Sequence, residues 1–378
     1  MIRLPEATPL HVALVYNVKK EDQTPDESVE PPSSGLSQHA IQFPTALRLG
    51  QRSDTFAEWD TMETIEAVRD ALAELHRVTL IETNEDAYGK LSELRPDIVF
   101  NIAEGFNGAS RESQIPTMLE FLQIPYTGSD PLTLAVCLDK ARAKEILGFY
   151  GVPTPHFYVV SAISELAGLT IQFPSIVKPL HEGSSKGIFN ASVVRSWDEL
   201  WRQVSSIIEG YSEPALVEQY LPGREFTVAM LGNGDGVHAL PIVEIRFDSL
   251  PEGVNHIYSY EAKWIWDRTE SPLEIFECPA NVSPAVQHEI ETICCKAFAI
   301  LRCRDWCRID VRMDANGKLH ILELNPLPGI LPKPEDNSCF PKAARAAGIT
   351  YNQLIQSVLH IGALRYGFFN GKSPKGTP

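Results

Sequence analysis

The sequence has no stretch approaching the ~20 consecutive apolar residues that a membrane helix needs, so no transmembrane span is expected. Its beginning lacks a charged segment followed by an apolar run and a small-residue cleavage site; no signal peptide is expected, and the cytoplasm is the expected compartment. Positive charge is scarce. Against 49 Asp and Glu stand only 33 Lys and Arg, a formal net charge of −16. That excludes a general nucleic-acid binder, because phosphate backbones are held by Lys/Arg-rich surfaces. The seven cysteines are an odd number without framework spacing. Cys303-x-x-x-Cys307 lacks the second ligand pair of a zinc site, so reduced, mostly buried thiols are expected. A Walker A motif is missing as well, since no Gly-Lys-Ser/Thr opens a helix.

What is present is ordinary for a globular chain: 44% hydrophobic and 22% charged residues over a length of 378, room for two or three domains. One stretch organises the rest. Residues 308–329, RIDVRMDANGKLHILELNPLPG, read as two strands joined at Asn316-Gly317, the dipeptide a two-residue type I′ turn prefers. Such a turn pairs Ala315 with Lys318, setting Asp310 opposite Glu323 and Arg308 opposite Asn325. Residues two apart share a face, so all four project from one surface. Opposed carboxylates repel at ~5 Å, and this pair with an amide oxygen suits Mg²⁺ shared with substrate phosphates. An exposed hairpin with solvated charges would carry the same turn. Against it stand Ile309, Val311, Ile321, Leu322 and Leu324, which imply burial.

In chain order, residues 11–18 read as a buried strand, followed by a polar, Pro/Ser/Gln-rich stretch without period over 19–56. Asp60 with Glu63 resembles a capping box ahead of a helix whose inner face is Ile65, Val68, Leu72 and Leu75. Residues 78–83 and 97–103 are further strands, an order that implies a small parallel sheet with ligands outside its carboxyl ends, near Asn17, Asn101 and Glu104. A helix is expected over 132–150, with Lys140 in its middle. In SIVKPLHEGSSKG, residues 175–187, a strand ends at Lys178 and a Gly/Ser loop follows, whose backbone N–H groups and hydroxyls could cradle anionic oxygens. Residues 215–232 read as strand, hinge and strand. Ser283-Pro284 opens a long helix with proline at its first position.

Arg308-Ile309-Asp310, then Glu323-x-Asn325-x-x-Pro328-Gly329, resembles the metal-binding end of ATP-grasp ligases, specifically the D-alanine–D-alanine ligase family. Residues 124–155 match that family closely, and the resemblance is nearly continuous from 124 to 329. It implies an α/β ATP-grasp fold. An N-terminal parallel-sheet domain would span 1–131, with 19–56 a mobile insertion. A central lobe (132–214) and a C-terminal lobe (215–366) would hold ATP between them, before a frayed tail at 367–378. The implied activity is ATP-dependent joining of a small-molecule carboxylate to an amino acid or amine, with ATP and two Mg²⁺ ions, Mn²⁺ being able to substitute. No nucleic acid or membrane partner is implied, and a homodimer is left open. Lys140, Lys178 and Ser185 would hold the phosphates, and Lys263 in the mobile loop 258–267 would neutralise phosphate charge. Gln219 to Leu221 would read the adenine edge, with Glu218 accepting from its amino group and Glu225 from a ribose hydroxyl. Metal ions would sit on Asp310, Glu323 and Asn325. Arg308 and the N–H of Gly329 would hold the oxyanion, and Ser184 would stand near the acceptor.

The sequence departs from that family where substrates are chosen. The family's glutamate after the first strand is replaced by Asn17-Val18-Lys19-Lys20, its His-Gly by Glu104-Gly105, the tyrosine after the loop lysine by Trp264, and an acceptor-binding serine by Pro334. Glu104 and the insertion would therefore shape the donor site, and Lys333 would meet an acidic acceptor. The same phosphate machinery would also serve amine condensation on a phosphorylated vinylogous acid (mycosporine-like), a small-molecule kinase, or a nucleotide-binding module without catalysis.

Overall fold

The segment HVALVY is apolar almost throughout because it is covered on both sides. His11–Tyr16 forms β1, the middle strand of a parallel sheet ordered β2-β1-β3, with β2 at Arg77–Glu82 and β3 at Ile98–Asn101. This computed structural model describes residues 9–19, 58–251, 253–263 and 275–369; the expected mobile insertion, all but Lys19, and the tail beyond 369 lie outside the described residues. Helix α1, Met62–Ala73, buries Ile65, Val68, Ala71 and Leu72 on this sheet. Each fully buried branched side chain there contributes about 1.5–3 kcal/mol. Its cap is Thr61, whose hydroxyl accepts from the Thr64 N–H, rather than Asp60; the Asp60 carboxylate is thereby left for another use. Helices α2 (Ala87–Leu94) and α3 (Gln114–Leu122) complete this layer.

The single helix expected over 132–150 is two, α4 at Pro131–Leu138 and α5 at Lys140–Phe149. Asp139 leaves helical geometry (ψ 94°), and its carboxylate accepts from the Ala141 and Arg142 N–H groups at 3.1 and 3.0 Å. Lys140 is consequently the first residue of α5, at the break, and not mid-helix.

A second, antiparallel sheet has the order β4-β7-β5-β6, from β4 (Phe157–Val160), β5 (Ser175–Pro179), β6 (Val193–Val194) and β7 (Ala215–Gln219). Helix α6, Trp197–Tyr211, packs Leu200, Val204 and Ile207 against Val177 and Val217 of this sheet. The third sheet runs β11-β10-β8-β12-β13 with β9 beside β8. Its strands are β8 (Glu225–Leu231), β9 (His238–Ala239), β10 (Val243–Ile245), β11 (Phe276–Glu277), β12 (Trp306–Met313) and β13 (Leu319–Asn325). Helix α7 (Pro284–Ile300) covers one face through Ile290, Cys294, Ala297 and Phe298. Helices α8 (Cys339–Ala346) and α9 (Tyr351–Arg365) return to the first sheet, where the Gln356 amide donates to Ala71 O, so that sheet shares its core with the C-terminal helices. All seven cysteines are free thiols, four of them buried. No helix of the described residues is long and apolar enough to cross a membrane.

The β12–β13 hairpin keeps its expected pairing at one end and not at the other. Arg308 faces Asn325 and Asp310 faces Glu323, as the sequence predicts. At the turn, however, Asp314 N donates to Lys318 O and Gly317 N to Asp314 O, closing a three-residue loop in which Gly317 (φ +78°) takes the left-handed position and Asn316 does not. The difference is absorbed by a bulge. Val311 pairs with Ile321 while Asp310 pairs with Glu323, leaving Leu322 as an extra residue. Leu319, Ile321 and Leu324 enter the core while Leu322 and Glu323 both line the opposite face.

Candidate active site

That face carries the chemistry. Arg308 donates to Asp310 from Nε and Nη2 at 3.2 and 3.0 Å and stands 3.7 Å from Glu323. Burial would raise Glu323, but Lys140, Lys178, Arg308 and Lys144 together outweigh it and hold its carboxyl down at about 2. Asp310 moves the other way: burial raises it, Glu323 adds to the rise, and Arg308 only partly offsets them. Cations drawn in close around two adjacent, largely buried carboxylates set this hairpin apart from one whose charges are solvated.

Three lysines converge on this pair. Lys140 Nζ lies 3.7 Å from Glu323 and donates to Glu182 O at 2.5 Å. Lys178, at the end of β5, and Lys144, one turn beyond Lys140 on α5, both close on Glu218, at 2.6 and 2.7 Å. Lys144 also donates to the carbonyl of the bulge residue, Leu322, at 2.5 Å. Glu218 is buried, and its two oxygens are taken up by these ammonium groups, which pull its carboxyl below the ordinary range against the effect of burial. In this structure that carboxylate, expected as acceptor for the adenine amino group, is the counter-ion of two lysines. Glu225 does face the cavity, with one oxygen 2.6 Å from Arg312, whose guanidinium also donates to His256 O.

The Gly/Ser loop is held in a strained conformation. Ser184 and Ser185 both have positive φ, +50° and +59°, each a conformation disfavoured by about 1–2 kcal/mol for a residue with a Cβ. Ser185 Oγ donates to Tyr258 O at 2.8 Å. Gly183 N donates at 2.6 Å to Glu58, which also accepts from Arg111 at 2.7 and 2.8 Å. Arg111 further reaches His181 O and Glu182. His181 sits between Glu213 at 2.8 Å and Asp139 at 3.6 Å. Burial lowers its pKa, yet hydrogen bonds to Asp139 and Glu213 outweigh that and lift it to about 9. The cap of α5, the loop and the Glu58–Arg111 pair are thus tied by ion pairs and hydrogen bonds.

Two adjoining cavities result. One, of about 250 Å³, is lined by Lys178, Ser184, Ser185, Glu225, Lys263, Arg308, Asp310, Leu322, Glu323 and Gly329. The other, of about 60 Å³, lies between Ser184, Lys263, Arg308, Asn325 and Gly329 on one side and Glu58, Asp60 and Glu104 on the other. Burial, then Arg308, lowers Lys263 to about 8. Leu221 is buried beyond the end of β7, and Gln219 lines a separate cavity of about 320 Å³ beside β4. Asn17 and Asn101 do not reach the ligand side. Both are buried, accepting from Gly105 N and Ala103 N, so of the three residues placed there only Glu104 does. Lys333 is not part of the site: it is 46% exposed and pairs with Glu63 at 2.6 Å. Trp264 lies outside the described residues. Sequence reasoning missed Lys144, Arg312, Arg111 and Glu58. Helical spacing from Lys140 and strand alternation from Asp310 were available signals for the first two.

Residues 157–360 match the D-ala D-ala ligase C-terminus family, and the chain is 34% identical to a D-alanine–D-alanine ligase of Bordetella petrii over 288 residues, 76% of this chain and 82% of that protein. The chain belongs to the D-alanine–D-alanine ligase family. It is likewise 34% identical over 322 residues to an uncharacterized protein, y4sG, of Sinorhizobium fredii, covering 83% of this chain and 91% of that one. A solved D-alanine–D-alanine ligase of Bacillus anthracis superposes with a TM-score of 0.65 at 22% identity, over 94% of this chain and 98% of that structure. The fold is that of the ATP-grasp ligases. Family membership brings ATP and Mg²⁺ with it, and the donors present fit the ion. Among the described residues no three His, Cys, Asp or Glu side chains gather to hold a metal alone. Asp310 and Glu323 instead offer hard carboxylate oxygens beside the Asn325 amide, which Leu327 N orients at 3.2 Å, leaving the remaining positions to phosphate oxygens and water.

Proposed function

We propose that this ATP-dependent ligase forms an amide between an amine and a carboxylate other than D-alanine, through an acylphosphate. The observation that carries the reading is the convergence of Lys140, Lys178 and Arg308 on the Asp310–Glu323 pair at one cavity. Lys140 and Lys178 hold the β- and γ-phosphates, Lys263 and Ser185 close on them, Glu225 takes the ribose, and the backbone of residues 219–221 reads the adenine edge. A donor carboxylate oxygen attacks the γ-phosphorus as the bond to ADP breaks. The amine then attacks the acyl carbon, the bond to phosphate breaks, and the amine proton leaves with it. Arg308 and the Gly329 N–H face the oxyanion of that second step, an interaction worth ~2.7–4 kcal/mol per donor. Ser184 orients the acceptor. Bound at Asp310, Glu323 and Asn325, Mg²⁺ (two ions, replaceable by Mn²⁺) supplies charge neutralisation for the transferring phosphoryl group.

Altered specificity is supported by Glu104 lining the donor side where the family has His-Gly, and by Pro334, which has neither hydroxyl nor N–H. Sites built for particular polar partners reject analogues lacking them by ~10⁴–10⁵. A screen of carboxylates and amines by coupled ADP release with product mass analysis tests this. Amine-dependent phosphate release with a new amide supports it, and robust D-alanyl-D-alanine formation at ordinary D-alanine concentrations refutes the altered specificity. A phosphorylated product without an amide identifies a kinase, and tight ATP binding without release a binding module.

A further inference from the structure

Arg312 stands on the hairpin face beside Asp310, yet the phosphoryl chemistry leaves it unused. It lies two residues beyond Asp310 on β12, shares its face, and is directly opposite Glu225 on β8. It is 4% exposed, and with Glu225 it lines the larger cavity. Its guanidinium is engaged in three directions. Nη1 donates to Glu225 Oε2 at 2.6 Å, while Nη2 donates to His256 O at 2.5 Å and reaches the Tyr220 hydroxyl at 3.4 Å. The guanidinium carbon is 5.2 Å from the ring centres of both Tyr220 and Phe247, and Phe247 stacks on His256 at 5.8 Å. A rigid planar fork meets two acceptors at fixed angles and rests its faces on aromatic rings, which a single ammonium cannot do.

Two parts of the cavity are joined through this one side chain. The first is Glu225. Among the described residues Arg312 alone hydrogen-bonds its carboxylate, and does so through one oxygen. Burial works against a charge there, and Arg312, ahead of Lys178, is the largest influence opposing it, while Asp310 and Glu323 side with burial. The second part is the segment 255–263. His256 is followed by Ile257 and Tyr258, which line the cavity, and Lys263 at the far end lines it too. Tyr258 O accepts from Ser185 Oγ at 2.8 Å, and Tyr260 N donates to Ile188 O at 2.7 Å. At His256 the segment is held by Arg312 and by the Tyr220 hydroxyl, which donates to the same carbonyl at 3.3 Å. One end of the segment thus hangs from the hinge and from Arg312, and the rest leans on the Gly/Ser loop.

We infer that Arg312 is a positioning residue through which ribose recognition at Glu225 and closure of the loops over the phosphates become one event. A ribose hydroxyl donating to the other oxygen of Glu225 fixes the carboxylate, and the carboxylate fixes Arg312. Arg312 in turn holds the His256 carbonyl, from which Tyr258 and Lys263 are set beside Ser185. A nucleotide lacking the ribose hydroxyls meets the same phosphate lysines but does not tighten this chain of contacts. The inference rests on the reading of the larger cavity as the nucleotide site; it does not depend on which carboxylate and amine are joined.

The test needs no turnover. ADP and 2′,3′-dideoxy-ADP, each with Mg²⁺, are titrated calorimetrically into the full chain as wild type, Arg312→Met and Arg312→Lys. The wild type is expected to prefer ADP by at least ~10-fold, the scale of a hydrogen bond to a charged acceptor. In Arg312→Met the preference is expected to fall to near parity with affinity for the dideoxy nucleotide retained. Arg312→Lys, which keeps a cation beside Glu225, is expected to regain part of it. Limited proteolysis is read in parallel at equal saturation: in the wild type ADP is expected to protect Ser184 to Lys186 more than dideoxy-ADP does, and in Arg312→Met the two are expected to protect alike. An arginine serving only the fold would weaken both nucleotides equally, and an unchanged ratio in the folded variants overturns the inference. Equal protection by the two nucleotides in the wild type overturns it as well, and that comparison stands should Arg312→Met fail to fold. Equal affinity of the wild type for both nucleotides sinks the ribose role of Glu225, and with it the inference. No binding of ADP at all sinks the nucleotide site itself.

Discussion

Glu218 decides between two uses of a carboxylate, and Glu218→Gln is the perturbation that separates them. In the structure its oxygens lie 2.7 Å from Lys144 and 2.6 Å from Lys178, all three groups being buried. Removing one partner of a buried ion pair costs ~3–5 kcal/mol, because the other charge is left uncompensated. Two cations are stranded here, but Lys144 keeps the Leu322 carbonyl and Lys178 keeps the field of Glu323, so a loss near the lower end, about 3 kcal/mol, is expected. The amide also points donors toward ammonium groups. The pH dependence follows from the direction of the shift. Glu218 is held below its ordinary value of 4.5, so its stabilisation is complete above that pH and fades as the pH falls further. Urea unfolding followed by tryptophan fluorescence should show a lower midpoint with unchanged slope, and the gap to the wild type should narrow in acid. The KM for ATP should rise only modestly. An unchanged midpoint together with a KM for ATP raised tenfold or more would refute the reasoning and return the carboxylate to the nucleotide.

Glu323→Gln should reduce ADP release by more than the ~10–100-fold typical of residues that merely orient a metal's ligands, with the fold intact by circular dichroism; near-normal turnover would sink the metal assignment. His181→Asn should slow turnover by loosening the cap that presents Lys140. Since His181 is raised to about 9, its stabilisation is complete below its ordinary value of 6.5 and is lost as the pH rises through about 9. The variant should accordingly lack the alkaline decline in unfolding midpoint that the wild type shows, and a decline equal in both would exclude the His181 pairs as its source. Limited proteolysis should cut near Ser184 to Lys186, and ATP analogues should suppress the cut; equal cleavage with and without nucleotide would count against a loop that closes.

The paired carboxylates were legible because strand alternation, polar positions and a turn dipeptide agreed on one face. The turn itself was misread, since Asn316-Gly317 fits both a two-residue loop and a three-residue loop with only Gly317 left-handed. The parallel sheet and α7 followed from apolar runs and from Ser283-Pro284, whose serine accepts from Val286 N. The break at Asp139 was not seen, because its flanks continue a helical pattern while a local cap decides the geometry. Glu218 and Lys333 show a deeper limit. Sequence position and resemblance say which element a charge occupies, but only tertiary contacts, Lys144 and Lys178 in one case and Glu63 in the other, say what neutralises it. Arg111, Glu58 and Asp60 come together across long sequence separations that no local pattern encodes.

The extra residue in β13 separates two jobs that a strand ordinarily performs together. Were Leu322 deleted, Ile321 would be followed directly by Glu323, and strict inside–outside alternation would still place Ile321 in the core and Glu323 opposite Asp310. The carboxylate pair does not need the insertion. What the insertion adds is a carbonyl outside the ladder, which Lys144 uses, and one apolar side chain in the larger cavity. A shortened strand should therefore keep Glu323 opposite Asp310 while losing a support beneath its lysines. Nucleotide grip and phosphoryl chemistry could in this way be tuned independently through a single residue.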